Sequence, residues 1–123
     1  MTGILCAKFG AKNITLTDYH PRVVENSSYN VTLNGISNDI ATVSNLDWFD
    51  FVEGGSMGNG RFQRNSFDVI LAADVVYASK HAAALAKVTD FMLKIDSASL
   101  CYFVLPTANL RDGIQEVCNI FVM

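Results

Sequence analysis

The chain has 123 residues, which corresponds to one domain. Half of the residues are hydrophobic and only 17% are charged, so the chain can bury a core and is not expected to be disordered. Nine Lys and Arg against twelve Asp and Glu give a net charge of −3, with no basic run that could follow a phosphate backbone. We therefore expect no nucleic-acid partner.

The cysteine pattern and the absence of apolar spans indicate the compartment. Cys6, Cys101 and Cys118 are odd in number and lack the CxxC spacing of zinc sites, which favours free thiols in a reducing environment and no metal. No stretch approaches the ~20 apolar residues of a membrane span, and the N-terminus lacks a signal-peptide pattern. We expect a cytoplasmic protein without membrane contact, with the nucleus as the alternative location.

The first half of the chain predicts two helices and two strands. Residues 2–10 have helical apolar spacing and end at Gly10, and residues 14–17 follow as a short β-branched strand. Pro21 is placed at the first turn of a second helix that extends to Asn34 and Gly35. Residues 40–46 alternate weakly and predict a second strand before Asp47.

The second half predicts a loop, two strands and two helices. Residues 50–66 contain four glycines and few aliphatic residues, so we expect a Gly-rich surface loop. Residues 67–73 are almost continuously apolar, which predicts a strand buried on both faces. A helix with Leu85, Val88 and Met92 on one face and a strand at residues 100–105 follow. A final helix has an apolar stripe of Leu110, Ile114, Val117 and Phe121.

This alternation of helices and strands predicts the α/β class. Strands that alternate with helices at this spacing form a mostly parallel, Rossmann-like sheet with helices on both faces. We see no internal repeat and no boundary, so residues 1–123 are expected to form a single domain.

Acidic and aromatic residues follow the predicted strands. In open parallel sheets, ligands bind beyond the carboxyl ends of the strands. Those positions hold Asp18 with Tyr19, Asp47 with Trp48, and Ala73, Asp74 and Tyr77, then Pro106 and Thr107. An acid there can accept both hydroxyls of a ribose, and an aromatic ring can pack on a base. An Asp at such a position can instead cap the next helix, so each acid taken alone could bind a ligand or cap a helix.

No other residue group predicts a reaction. His20 precedes a proline in a loop and His81 stands at a helix start, so both are expected to be solvated rather than catalytic. The glycine loop lacks the Gly-Lys-Ser/Thr ending of a phosphate-binding loop. An NAD-binding domain would need a Gly-x-Gly-x-x-Gly turn, which the sequence does not contain.

Five segments form a recognisable set in chain order. They are Thr2-Gly3-Ile4-Leu5, Leu16-Thr17-Asp18-Tyr19, Asn30-Val31-Thr32-Leu33-Asn34, Leu46-Asp47-Trp48 and Phe67-Asp68-Val69-Ile70-Leu71-Ala72-Ala73-Asp74-Val75-Val76-Tyr77. Together they resemble the seven-strand, S-adenosylmethionine-dependent methyltransferases of the methyltransferase-like protein-lysine group. The resemblance covers about residues 2–95.

The resemblance implies a cofactor site for S-adenosylmethionine. Gly3 corresponds to the last glycine of the turn around the methionine part of the cofactor. Asp18 corresponds to the acid that binds the ribose hydroxyls. Asp47 and Trp48 correspond to the pair beside the adenine. Ala73 would line the cofactor near its sulfonium.

The resemblance also implies the catalytic residues. Asp74 and Tyr77 match an Asp-x-x-Tyr motif that shapes the channel for the target lysine. The implied reaction is in-line methyl transfer to a neutral lysine amine of a protein substrate, with Asp74 on the amine side. Small-molecule amines fit the same motif.

The sequence departs from the family pattern at both ends. The family has a central strand and a Gly-x-Gly turn before the residues that match Thr2-Gly3, and two strands after the last one predicted here. We therefore expect a truncated chain. We expect the strands at residues 14–17 and 67–73, which flank the absent strand, to pair with each other. Exposed strand edges offer a route to self-association.

This departure leaves two functions open. The absent turn would supply backbone N–H groups for the charged end of the cofactor, so we expect weak or no cofactor binding by this chain. The first function is a lysine methyltransferase of doubtful activity in this form. The alternative is a non-catalytic remnant or isoform that acts only through protein contacts.

Overall fold

A computed structural model of the chain describes residues 1–51, 60–107 and 112–121. Two compact units cover Met1–Asp47 and Trp48–Met123. The elements in chain order are α1 (Thr2–Lys8), β1 (Ile14–Asp18), α2 (Pro21–Leu33), β2 (Ala41–Asn45), a 3₁₀ helix (Trp48–Phe51), β3 (Val69–Ala73), α3 (Lys80–Met92), β4 (Leu100–Val104) and α4 (Ile114–Phe121).

The first unit is built on a β1-α2-β2 crossover. The two strands pair in parallel, with Ile14 opposite Ala41 and Asp18 opposite Asn45. Pro21 occupies the first turn of α2, where its missing N–H costs no hydrogen bond, and Nδ1 of His20 accepts the amide of Arg22 as an N-cap. These start signals explain why α2 begins where the sequence predicts it.

The second unit repeats this arrangement with β3-α3-β4. The strands pair in parallel, from Val69 opposite Leu100 to Ala73 opposite Val104. Its core consists of small and aliphatic side chains from β3, the turn after it, α3 and α4: Ala72, Val76, Ala82, Leu85, Ile114 and Val117. The α/β class predicted from the sequence is therefore confirmed, as two parallel strand pairs with packed helices.

The β3–β4 sheet has one covered and one exposed face. Opposed residues of parallel strands point to the same side. Ala72 lies in the core and Phe103 packs against it. The other face carries side chains that are between 45% and 66% exposed: Val69, Leu71, Leu100, Tyr102 and Val104. The prediction that residues 67–73 are buried on both faces is therefore wrong, because the helices of this unit cover a single face.

The predicted pairing of the strands at residues 14–17 and 67–73 is also wrong. The strands that the structure describes form two sheets of two, β1 with β2 and β3 with β4. Each strand pairs with the neighbour that its own crossover helix brings alongside. Such local closure costs less chain entropy than pairing two strands that lie half the chain apart.

Several element boundaries differ from the predictions. The first helix ends at Lys8 rather than Gly10, and β2 is one residue shorter at each end than residues 40–46. The 3₁₀ helix was not predicted; its Phe51 packs on Phe91 of α3, with ring centroids 5.2 Å apart. Of the predicted loop at residues 50–66, residues 52–59 lie outside the described residues, as does Leu110 of the last stripe.

Candidate functional site

The turn after β3 presents the two ends of the Asp-x-x-Tyr motif to solvent. Asp74 has a positive φ of 56°, and its amide donates a 2.8 Å hydrogen bond to the carbonyl oxygen of Val104. Val76 is fully buried, whereas Tyr77 is 59% exposed. The buried valine anchors the turn, so Asp74 and Tyr77 stay accessible while their backbone is held by the core.

A second anchor of this turn comes from α3. The amide of Tyr77 donates a 3.1 Å hydrogen bond to Nδ1 of His81. The imidazole ring also lies edge-on to Trp48 and to Tyr77, with centroid distances of 6.2 and 6.5 Å, and 5.9 Å from Phe49. His81 thus contacts one residue predicted for the cofactor and one predicted for the substrate.

The prediction that His81 is solvated holds only in part, since its side chain is partly exposed. Its side chain is half-buried among the rings because the 3₁₀ helix packs against the first turn of α3. Burial, and second the ammonium of Lys80, lower the pKa of His81 below its ordinary value. The sequence signal that could have revealed this position is the spacing of Tyr77 and His81, four residues apart across a helix start.

Gly113 supports the same turn from the residues before α4. Its φ is +87°, and a Cβ at this position would lie 2.6 Å from the carbonyl oxygen of Ala78. Only glycine permits both this backbone conformation and this close approach. Gly113 is not predicted from the sequence, since nothing local in the sequence marks the contact.

In the first unit, Asp18 ends β1 and organises the following residues. Its Oδ1 accepts the amide of His20 at 2.8 Å, and its carbonyl oxygen accepts the amide of Leu46 at 2.9 Å. Asn45 at the end of β2 donates through Nδ2 to the carbonyl oxygen of Tyr19 at 2.7 Å. Asp18 is half-buried as a residue at the carboxyl end of the strand pair.

Gly3 lies inside α1 rather than in a turn. A Cβ at Gly3 would lie 2.9 Å from Cγ of Leu16 on β1. Close packing of a helix on a strand is the role of the last glycine in dinucleotide-binding folds. The structure therefore gives Gly3 a packing contact.

The remaining predicted residues occupy strand ends in each unit. Ala73 is the last residue of β3, and Asp47 is half-buried two residues after β2. Trp48 and Tyr77 share the ring cluster of the second unit, whereas Gly3, Asp18 and Asp47 belong to the first. A cleft between α2 and β2 holds none of these residues; it is lined by Ser28, Val31, Thr32, Asn38, Thr42 and Val43.

The described ranges contain neither a membrane-spanning helix nor a cluster of metal ligands. No helix in them has the length and hydropathy needed to cross a membrane. No three His, Cys, Asp or Glu residues in these ranges are grouped so that they could hold a metal ion.

Residues 1–112 match a family model described as lysine methyltransferase. The protein N-terminal and lysine N-methyltransferase efm7 of Aspergillus fumigatus is 36% identical over 108 residues, which is 81% of this chain and 40% of that relative. The chain thus spans well under half the length of the curated relative that it matches. No solved structure matches the chain significantly.

Proposed function

The chain belongs to the lysine methyltransferase family, and we propose that it takes part in methyl transfer from S-adenosylmethionine to a lysine side chain of a protein. The observation that carries this proposal is the Asp74–Tyr77 turn. It lies within the family match, follows a parallel strand and keeps Asp74 and Tyr77 exposed on a buried anchor. The expected family is confirmed by the comparisons; the reaction of this chain is our proposal.

The residues present fit the chemistry of the cofactor in part. S-adenosylmethionine supplies a methyl group activated on a positively charged sulfur. The carboxylate of Asp18 suits the ribose hydroxyls, and the ring of Trp48 suits the adenine. Gly3 fits through packing, because its missing Cβ makes room for Leu16. We also propose that Asp47 flanks the adenine together with Trp48 and that Ala73 lines the cofactor near its sulfur.

Asp74 and Tyr77 would bind and orient the substrate amine. A lysine amine has a pKa of about 10.4, so its neutral form at pH 7 costs about 4.6 kcal/mol. The Asp74 carboxylate would attract and orient the ammonium, and the Tyr77 ring would flank the aliphatic part of the side chain. The proton passes to water before transfer, and the neutral amine attacks in line with the bond that breaks.

The name of the curated relative indicates two kinds of protein amine as substrates. The relative is named for protein N-termini as well as lysine. An N-terminal α-amine has a pKa near 8, so its neutral form is easier to reach than that of lysine. We propose a protein amine as substrate, with lysine as the first choice, and the cytoplasm as the location, with the nucleus as the alternative.

A calorimetric titration with S-adenosylhomocysteine tests the cofactor site. Of the two outcomes expected from the sequence, weak binding and no binding, the proposal requires weak but saturable binding by the folded chain, lost in Asp18→Ala and kept in Asp39→Ala. Asp39 is a matched control, since it is an exposed acid of the same unit outside the strand ends. A folded chain that releases no binding heat at any concentration would contradict the proposal.

One observation favours the alternative, a non-catalytic protein that acts through protein contacts. The outer face of the β3–β4 sheet exposes five large apolar side chains, and such faces are typical of protein interfaces. Absence of cofactor binding together with concentration-dependent self-association in analytical ultracentrifugation would support this alternative.

A further inference from the structure

His81 is the point where the predicted cofactor and substrate residues of the second unit meet. Its ring lies within 6.5 Å, between centroids, of Trp48, Phe49 and Tyr77. Trp48 also packs against the buried core of this unit. A side chain that touches all three rings limits how each of them can move.

The hydrogen bond from the Tyr77 amide requires an unprotonated Nδ1 on His81. Its Nδ1 accepts the Tyr77 amide at 3.1 Å, so this nitrogen carries no proton and the ring is neutral. Protonation of Nδ1 would convert the acceptor into a donor that faces another donor. The Tyr77 amide would then lose its partner.

We infer that His81 is a positioning residue of the proposed transfer site: its neutral ring fixes Tyr77 and Trp48, and its protonation releases Tyr77. This inference rests on the proposed function for its consequence in methyl transfer. The hydrogen bond and the ring contacts that support it are independent of that function. His81 does not touch the reacting atoms in this account; it acts through Tyr77 and Trp48.

The surroundings of His81 favour the neutral ring. Burial and the neighbouring Lys80 ammonium, in that order, lower the pKa of His81. The other titratable groups on its own helix are Lys80, Lys87 and Asp90, and those on the 3₁₀ helix and the turn after β3 are Asp50, Asp74 and Tyr77. Near neutral pH the acceptor form therefore prevails, and acidification titrates the positioning contact.

The fluorescence of Trp48 reports this titration without any activity. Trp48 is the single tryptophan of the chain, and a protonated imidazole beside an indole quenches its emission. We expect a quenching transition with a midpoint below the ordinary histidine pKa of about 6.5. It is absent in His81→Asn and His81→Phe and kept in His20→Asn, which changes the other histidine.

The two His81 variants separate the hydrogen bond from the ring. Asn carries an acceptor near the position of Nδ1 but cannot titrate, whereas Phe keeps the ring and loses the acceptor. In ¹H–¹⁵N NMR spectra, the Tyr77 amide should keep its shift in His81→Asn and move upfield in His81→Phe. For methyl transfer at about pH 8, we expect His81→Asn within about twofold of wild type and His81→Phe about fivefold slower in kcat.

Some outcomes overturn the inference. One is a Trp48 transition that persists in both His81 variants, or is absent from the folded wild type. Another is a Tyr77 amide that does not respond to His81→Phe. If the fluorescence and NMR results are as expected but no variant transfers methyl groups, the proposed function fails while the positioning contact stands. Urea unfolding of each variant shows that the compared chains are folded.

Discussion

Gly113 touches the backbone of Ala78 so closely that no side chain fits between them. A Cβ at Gly113 would lie 2.6 Å from the Ala78 carbonyl oxygen. This contact joins the start of α4 to the turn that carries Tyr77. The candidate site is therefore held by three features from different elements: the buried Val76, the His81 acceptor and the Gly113 contact.

Gly113→Ala should destabilise the second unit more than a comparable glycine change. The φ of +87° costs an alanine about 1 kcal/mol, and the overlap with Ala78 adds about 2 kcal/mol. Gly60→Ala is the matched control, because Gly60 has a φ of +73° with nothing within 4 Å of its added Cβ. Urea unfolding measures both; equal losses in the two variants would refute the close contact.

Asp74 should tolerate asparagine better than alanine. Its φ of 56° lies in the left-handed region, where Asn is favoured among residues with a side chain. We expect Asp74→Ala to lose about 1 kcal/mol of unfolding free energy and Asp74→Asn less than half of that. Asp90→Ala, at an exposed position of α3, serves as the control in chemical denaturation. A larger loss for Asn than for Ala would contradict the backbone assignment.

Gly3→Ala tests the packing of α1 on β1. In an open helix, this change would add about 0.5–1 kcal/mol of stability. We expect a loss of about 1 kcal/mol instead, because the new Cβ would lie 2.9 Å from Cγ of Leu16. In a Leu16→Ala background the overlap disappears, and the same change should become stabilising. Denaturation of the four chains of this double-mutant cycle gives the coupling, and additive effects would show that Gly3 does not pack on Leu16.

The stability of the chain should fall on acidification through His81. Because its pKa is lower in the folded than in the unfolded chain, the unfolded state binds more protons as the pH drops below about 6.5. The His81 contribution is thus fully present above about pH 6.5 and declines below it. Unfolding free energies at about pH 8 and about pH 5 should differ more in wild type than in His81→Asn.

Lys80→Gln separates the two causes of this pKa shift. Removal of the neighbouring ammonium should raise the pKa of His81 part of the way towards its ordinary value, while burial keeps it lowered. The Trp48 fluorescence titration would then move to higher pH than in wild type. An unchanged midpoint would show that Lys80 does not act on His81.

The sequence predicts most elements because their signals are local. Pro21 with the His20 cap places the start of α2, and the apolar residues 67–73 place β3. Strand partners were not predictable in the same way, since the choice between β1 and β4 as the neighbour of β3 depends on contacts across the chain. Val69 and Leu71 are exposed because the helices cover the other face of the sheet. The periodicity of the sequence does not show which face the helices cover.

The sequence predicts the exposed residues of the candidate site but not the residues that support them. Asp74 and Tyr77 are marked by their place at a strand end. His81 and Gly113 hold the turn through a ring cluster and a backbone contact, and these are three-dimensional relationships without a sequence motif. A histidine four residues after a strand-end tyrosine is the one signal that could have pointed to His81.

Methyl transfer to lysine peptides tests the central claim most directly. The chain would be incubated with S-adenosylmethionine and peptides that carry lysine or a free α-amine, and mass spectrometry would locate the added methyl group. We predict methylated lysine with wild type and Asp90→Asn, and at least a tenfold lower yield with Asp74→Asn. Equal yields with wild type and Asp74→Asn, or no methylated amine from a folded chain that binds S-adenosylhomocysteine, would contradict the account.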